Sequence, residues 1–266
     1  MSLTLQQSPS FFRWNEHVHS GYRPAGKSAS WYASSVFAWH TETCNVWSHL
    51  IGFFVFVRFH VFASRDVALA TDSDDNYLWN LFSMRIFTVC VCLMYASSVV
   101  FHLFWPKSER VCRRCEKVDY CGIVLAIAGT GAPLILLVLR PSMTIVQCYW
   151  AVTALVSARA MFLLVRNVYS TESRLCIFLS VAWFLPVVGA HGTVVHGVFG
   201  SRMASLFYPA TAIGALYLVG SYVDAKHIPE RLYPGKFDTF GNSHNIMHAC
   251  VLLATLMHWN LFMDNQ

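Results

Sequence analysis

Three histidines in the sequence have the spacing of a metal site. His244 and His248 are four residues apart, so on a helix they share one face, one turn apart. His102 lies far from them in sequence, near the end of a different apolar stretch. Three imidazole ligands and a fourth position open to water are typical of catalytic zinc sites, where zinc lowers the pKa of the bound water to about 7. The prediction of Zn²⁺ at these residues therefore requires a fold that brings His102 to the other two.

Two further polar residues are candidates for catalysis at such a site. Ser98 precedes His102 by one helical turn, on the same face. Asp119 is expected to open the third apolar stretch, where it could orient a water molecule, accept its proton or hold a histidine by a hydrogen bond. We expect Asp119 to be the only acidic residue deep enough in the apolar stretches to matter, and burying such a group is costly unless it has a function.

The composition indicates that these residues lie in a membrane protein. Hydrophobic residues make up 56% of the chain and charged residues 12%, whereas soluble domains average about 25% charged residues. The mean hydropathy of +0.46 agrees. This composition excludes a soluble enzyme, a disordered chain and a nucleic-acid-binding domain.

Seven apolar stretches are long enough to cross a bilayer, since about 20 helical residues span ~30 Å of hydrocarbon. They cover residues 45–64, 79–104, 119–139, 143–165, 175–198, 204–223 and 241–262. The sequence thus predicts an all-α, polytopic bundle of seven transmembrane helices. We divide the chain into an N-terminal segment (1–40) and a seven-transmembrane zinc-binding domain (41–266).

The distribution of basic residues predicts the orientation of this bundle. Thirteen Lys and Arg lie in the N-terminal region and in the 105–118, 166–174 and 224–240 loops, against three in the loops on the opposite side. Because cytoplasmic loops carry the excess of positive charge, the N-terminus should be cytoplasmic. An acidic patch that includes Asp66 and Asp72 falls on the outer side. In this topology His102, Asp119, His244 and His248 all reach the cytoplasmic end of the bundle.

Three other histidines are rival ligands. His258 should lie about 15 Å further along its helix than His248, and His191 about 25 Å from the inner face, so neither can share an ion with the three. His49 is not excluded by depth, but we expect it to form a hydrogen bond between packed helices. The pair at 244 and 248 could also be two ordinary polar residues near an interface.

The polar run at residues 40–49, HTETCNVWSH, has two interpretations. We favour an interfacial helix start, capped by Thr or Asn, with Trp47 in the aromatic belt. The alternative is a polar wall of the metal site.

Five motifs resemble a known family. They are HTETCNVWSHLIG (40–52), SSVVFHLF (97–104), KVDYCGI (117–123), HIPERLYPGKFD (227–238) and GNSHNIMHACVLL (241–253). In this order, and over residues 13–262, the chain is similar to the progestin and adiponectin receptor family, and most of all to its adiponectin-receptor branch, which is related to haemolysin III.

The resemblance implies seven transmembrane helices with the N-terminus inside, and a zinc ion near the inner leaflet bound by His102, His244 and His248. It implies that Asp119 contacts the zinc through water and that Ser98 is the serine of the family's SxxxH pattern. The wider superfamily includes alkaline ceramidases, so the resemblance also implies a zinc-dependent lipid amidase, with ceramide as the leading substrate.

Three functions follow as hypotheses. The first is a ceramidase-like hydrolase with a signalling output, and the second is a membrane receptor with a structural zinc. The third, a role in zinc or sterol homeostasis, is implied by fungal relatives. We expect the partners to be membrane lipids, ceramide or fatty acid in the bundle. A protein ligand has less support, because the outer loops are small compared with the ~800 Å² that each partner buries in a standard interface. The chain should reside in the plasma membrane or an endomembrane.

Overall fold

The computed structural model describes residues 2–12, 15–70, 74–166 and 170–266. These residues form helices and no β-strand, apart from an isolated antiparallel bridge between Leu3 and Tyr22. The α-helices of this part of the chain are α1 (Ala29–Ser34), α2 (Thr43–Ala70), α3 (Asp74–Phe104), α4 (Glu109–Leu139), α5 (Met143–Arg166), α6 (Thr171–Val181), α7 (Phe184–His196), α8 (Tyr208–Ala225) and α9 (Ser243–Met263).

The prediction of an all-α chain with seven membrane spans is confirmed. Seven segments among the described residues are long and apolar enough to cross a bilayer, and each overlaps one predicted stretch. They are Thr43–Leu69, Tyr77–Lys107, Glu109–Leu139, Met143–Arg166, Ser173–His196, Met203–Ala225 and Ser243–Met263. The third differs most, because α4 begins at Glu109 and not near residue 119. The chain is therefore an integral multi-pass membrane protein.

Prolines explain the irregular turns in two spans. The fifth span breaks between α6 and α7, just before Pro186, since a proline ring clashes with the carbonyl four residues earlier, here that of Ala182. A π-helical turn at Met203–Phe207 precedes Pro209 in the sixth span. Pro133, by contrast, lies inside α4 without ending it.

The first of two compact units contains the candidate site. It comprises Met1–Gly52, Tyr95–Asp119 and Ala215–Ala254, so the N-terminal segment shares a unit with parts of α3, α8 and α9. Buried side chains of Phe12, Val18, Tyr22 and Trp105 form a core there. The rings of Phe12 and Trp105 meet edge to face, with centroids 4.6 Å apart.

The second unit comprises Phe53–Met94, Tyr120–Gly214 and Thr255–Gln266. Its core includes Val124, Ala160, Leu164, Ile177 and Val181. Large apolar side chains remain exposed along its spans, among them Leu155 and Val194, which are 71% and 83% exposed. Such exposure suits contact with lipid tails and would be a liability in water.

Two of the charged residues from which the orientation of the bundle was predicted, Arg13 and Asp72, lie outside the described residues. The cytoplasmic location of the N-terminus stays a prediction, as does the division of the chain at residue 40.

Candidate metal centre

The helices bring the three predicted histidines together. His102 lies two residues before the end of α3, while His244 and His248 lie on the first two turns of α9. Ring centroids are 5.1 Å apart for His102 and His244, 4.8 Å for His102 and His248, and 4.7 Å for His244 and His248. One nitrogen from each ring lies within 4.8 Å of the others. The residues that were far apart in sequence thus form a group able to hold a metal ion.

Two of these rings have their outer nitrogens held by carboxylates. His102 Nδ1 lies 2.7 Å from Glu42 Oε2, and His244 Nδ1 lies 3.0 Å from Asp224 Oδ1. A carboxylate can only accept, so each Nδ1 carries the proton and each Nε2 is the unprotonated nitrogen. These two Nε2 atoms face each other at 3.4 Å. Both rings are therefore oriented as neutral ligands for one ion.

The third ring has the same tautomer for a different reason. His248 Nδ1 lies 3.3 Å from Ser48 Oγ. The Ser48 hydroxyl donates to the carbonyl of Asn45 at 3.0 Å, so its oxygen accepts from His248. His248 Nε2 is again the nitrogen left to coordinate. Ligand histidines in zinc sites usually donate their second N–H in this way, so the residues present fit zinc.

Glu42 is itself buried and hydrogen-bonded. Its side chain is 2% exposed, and Asn45 Nδ2 donates to Oε2 at 2.9 Å. Burial alone would raise the pKa of Glu42, but the hydrogen bonds from His102 and Asn45 and the charge of Arg23 outweigh burial and hold the pKa of this carboxyl below its ordinary value. The carboxylate is thus an anion beside the histidine group at neutral pH.

Asp119 and Ser98 lie on the helices that border this group. Asp119 is close enough for its charge to act on His244, but it lies ten residues inside α4 and does not open that helix. The prediction of its position at a helix start was therefore wrong, because the helix continues into the charged residues that precede the apolar stretch. Ser98 is buried, one turn before His102 on α3. The catalytic roles of both residues stay predictions.

The rival histidines do not join the group. His191 and His258 belong to the second unit, where His191 pairs with Tyr149 and His258 packs on Phe262. His49 is in the first unit and stacks on His248, but it contributes no atom to the group. It also forms no hydrogen bond with the described residues, so the expected hydrogen-bonding role is not observed.

Sequence reasoning missed three residues that hold the ligands. Glu42 lies in the polar run at 40–49, so the alternative interpretation of that run as a wall of the site is the one that the contacts favour. Thr43 begins α2, but its Oγ1 accepts from the backbone N–H of His40, three residues earlier, at 2.8 Å. The expected cap, in which that oxygen would accept from an N–H of the first helical turn, is not the contact observed. Asp224 and Ser48 lie one residue before the end of α8 and near the start of α2. The sequence feature that could have identified these three residues is a charged or hydroxyl side chain at the end of a span, on the same side of the membrane as the predicted ligands.

Comparisons with known proteins show which family this chain resembles in sequence. A family model described as haemolysin-III related matches residues 37–259. Heptahelical transmembrane protein 1 of Arabidopsis thaliana is 32% identical over 278 residues, covering 96% of this chain and 79% of that protein. Progestin and adipoQ receptor family member 3 of Homo sapiens is 28% identical, with 96% and 82% covered.

The adiponectin receptor protein of Drosophila melanogaster is 27% identical over 256 residues, and this chain spans 56% of its length. These relatives confirm the family that the five motifs predicted. The chain belongs to the haemolysin-III-related family of membrane proteins, which includes the adiponectin and progestin receptor-like proteins.

Proposed function

We propose that this protein is a zinc-dependent hydrolase of lipid amides, with ceramide as the leading substrate. One observation carries the proposal: three histidines each place one ring nitrogen within 4.8 Å of the others, and the group contains no fourth His, Cys, Asp or Glu among the described residues. A set of three protein ligands is the arrangement of catalytic zinc sites, whereas structural zinc sites are closed by four.

The residues around the group have the chemistry that amide hydrolysis needs. Zinc with an open position polarises a carbonyl and makes hydroxide available near neutral pH. Asp119 would take the proton of the attacking water and pass it to the departing amine, a role that suits a carboxylate whose charge acts on His244. Ser98, one turn from His102, would orient the substrate by a hydrogen bond.

The location of the site favours a lipid substrate. His102, His244 and His248 all lie within membrane-spanning segments. A substrate that reaches them from the bilayer must carry its reactive group near the end of an apolar chain, as an N-acyl lipid does.

The test measures fatty-acid release and zinc content on the same purified, full-length preparation. The parent should cleave ceramides, lose activity with a chelator and regain it with zinc. Asp119→Asn should keep zinc supplied in excess yet lose about 10²–10⁴-fold in rate. Glu109→Gln is the matched control on the same helix, because Glu109 is 56% exposed and pairs with Arg113 at the surface.

A second candidate is a ligand-responsive receptor with a structural zinc. It is favoured by the names of similar proteins, which include membrane progestin receptor gamma of Homo sapiens, 26% identical over 264 residues. A zinc-loaded parent that releases no fatty acid from several ceramides would contradict the hydrolase and favour this receptor.

A further inference from the structure

His102 is held from two directions by residues that precede the first span. Glu42 contacts its ring, and Arg23 contacts its backbone. From these contacts we infer that Arg23 and Glu42 are positioning residues for His102. The N-terminal segment that carries them thus helps to hold a metal ligand in place. The inference rests on the zinc site of the proposed function and adds which residues outside the spans determine its affinity.

Arg23 fixes the end of the helix that carries His102. Its guanidinium donates to the carbonyl of His102, to the carbonyl of Leu103 at 3.0 Å and to Ser35 Oγ at 2.8 Å. The last carbonyls of a helix have no partner within that helix, so these donors satisfy groups that would otherwise be left unpaired. Arg23 is 4% exposed, which leaves the side chain little freedom to move. The position of the His102 backbone therefore depends on Arg23.

Glu42 fixes the ring of the same residue. The 2.7 Å contact between Glu42 Oε2 and His102 Nδ1 is the shortest of the three contacts to the outer nitrogens. A carboxylate in this position sets the tautomer and makes the coordinating nitrogen more basic. The positive charge of Arg23 also acts on Glu42, so each buried charge partly compensates the other.

The segment that carries these two residues is tied to the start of α9 as well. Thr41 N donates to the carbonyl of Gly21 at 3.0 Å, which closes the segment between Arg23 and Glu42 into a loop. Asn15 Nδ2 donates to Glu230 Oε1 at 3.0 Å, and Glu230 Oε2 accepts from the backbone N–H of Ser243 at 2.7 Å. Ser243 directly precedes His244, so the segment touches the supports of two ligands.

The experiment uses the full-length chain in detergent, stripped of metal and titrated with zinc against a chromophoric chelator. Glu42→Gln keeps the size and one acceptor but removes the charge, and Arg23→Lys keeps the charge but removes two of the donors. Glu16→Gln and Arg114→Lys are the matched controls, because both parent residues are exposed. The Co²⁺ absorption spectrum at saturating metal is recorded for each variant, since a role limited to holding the fold would not change the ligand field.

We expect Glu42→Gln and Arg23→Lys each to weaken zinc binding by about 10–100-fold. The Co²⁺ bands of Glu42→Gln should shift, and both controls should match the parent. Parent affinity and a parent spectrum in both site variants would overturn the inference while leaving the proposed zinc site intact. If Glu42→Gln does not fold, Arg23→Lys decides alone: weakened binding supports the inference and parent binding overturns it. A parent that binds no zinc would instead refute the proposed function, and the inference with it.

Discussion

The ring of His49 is stacked on the ring of His248, with centroids 3.7 Å apart and planes inclined by 13°. Tyr95 meets His49 edge to face, with centroids 5.0 Å apart. His49 is 4% exposed, and neither of its ring nitrogens has a hydrogen-bonding partner among the described residues. His49 therefore supports the candidate metal ligand His248 by packing flat against its ring, and this contact limits the rotation of the His248 ring.

The stacked ring can be tested by keeping its shape and removing its nitrogens. His49→Phe should retain zinc within a few-fold of the parent affinity, and it should not lower the melting temperature, since it removes two buried polar atoms that each cost about 1–3 kcal/mol when unpaired. His49→Ala should destabilise the protein by about 2–4 kcal/mol because it leaves a cavity. Zinc content and melting temperature in detergent measure both effects. Loss of zinc in a folded His49→Phe protein would mean that a nitrogen of His49 takes part in binding.

The carboxylate of Asp224 should matter to the metal and not only to the fold. Asp224→Asn keeps the size but removes the anion that accepts from His244 Nδ1 at 3.0 Å. Zinc affinity should fall by about 10–100-fold, which competition with a chelator measures. Asp264→Asn is the control, because Asp264 is exposed near the end of the chain. Equal affinities in the two variants would count against a role for Asp224 in holding the ligand.

The sequence predicted the spans well because apolar length is a local property. It predicted that the three histidines lie close together because the order of the spans determines on which side of the membrane each helix end lies. Glu42 and Asp224 were not predictable in the same way. Each lies just outside an apolar stretch, where a charged residue is ordinary, and its role depends on contact with a histidine 60 or 20 residues away.

The start of α4 shows a second limit of sequence reasoning. Hydropathy reports which residues suit the hydrocarbon and not which residues are helical. The run ERVCRRCEKV at 109–118 is charged, yet it continues the helix. Arg113 and Glu109, four residues apart, form an ion pair at 2.6 Å on its exposed face, as is typical of a helix that extends beyond the apolar core.

The orientation of the bundle can be tested directly. If the excess of basic residues sets the topology, an N-terminal tag in intact cells should be inaccessible from the non-cytoplasmic side, and a C-terminal tag should be accessible there. Permeabilised cells, in which both tags should react, provide the control. The reverse labelling pattern would contradict the cytoplasmic location of the histidine group.

Gly52 and Gly214 form a matched pair for packing in the spans. A Cβ at Gly52 would lie 2.6 Å from the ring of Tyr95, which is fully buried, whereas one at Gly214 would meet nothing closer than Leu185 Cδ1 at 3.9 Å. Gly52→Ala should therefore destabilise the protein by about 1–3 kcal/mol through overpacking. Gly214→Ala should be neutral or stabilising, since alanine favours the helix over glycine. Equal melting temperatures for the two variants would contradict the close approach of Tyr95 to Gly52.

The pH dependence of stability should include a contribution from His40. This ring is 3% exposed, its Nδ1 accepts from the backbone N–H of Glu42 at 3.1 Å, and its Nε2 donates to the carbonyl of Ser35 at 3.0 Å. Only a neutral ring can form both bonds. Burial and the nearby charge of Arg23 lower the pKa of His40 to about 4, and the charge of Glu42 opposes them only in part.

Because the pKa of His40 is lower in the folded chain than its ordinary value near 6.5, the unfolded chain binds the extra proton between these two values. The stabilisation is therefore present above about pH 6.5 and is lost as the pH falls towards 4, by about 2 kcal/mol between pH 7 and pH 5. His40→Gln cannot titrate, so its melting temperature should fall less than that of the parent over this interval. His19→Gln, which changes an exposed histidine of the same segment, should fall as much as the parent. The same drop in His40→Gln as in the parent would show that His40 does not contribute to the acid sensitivity of the fold.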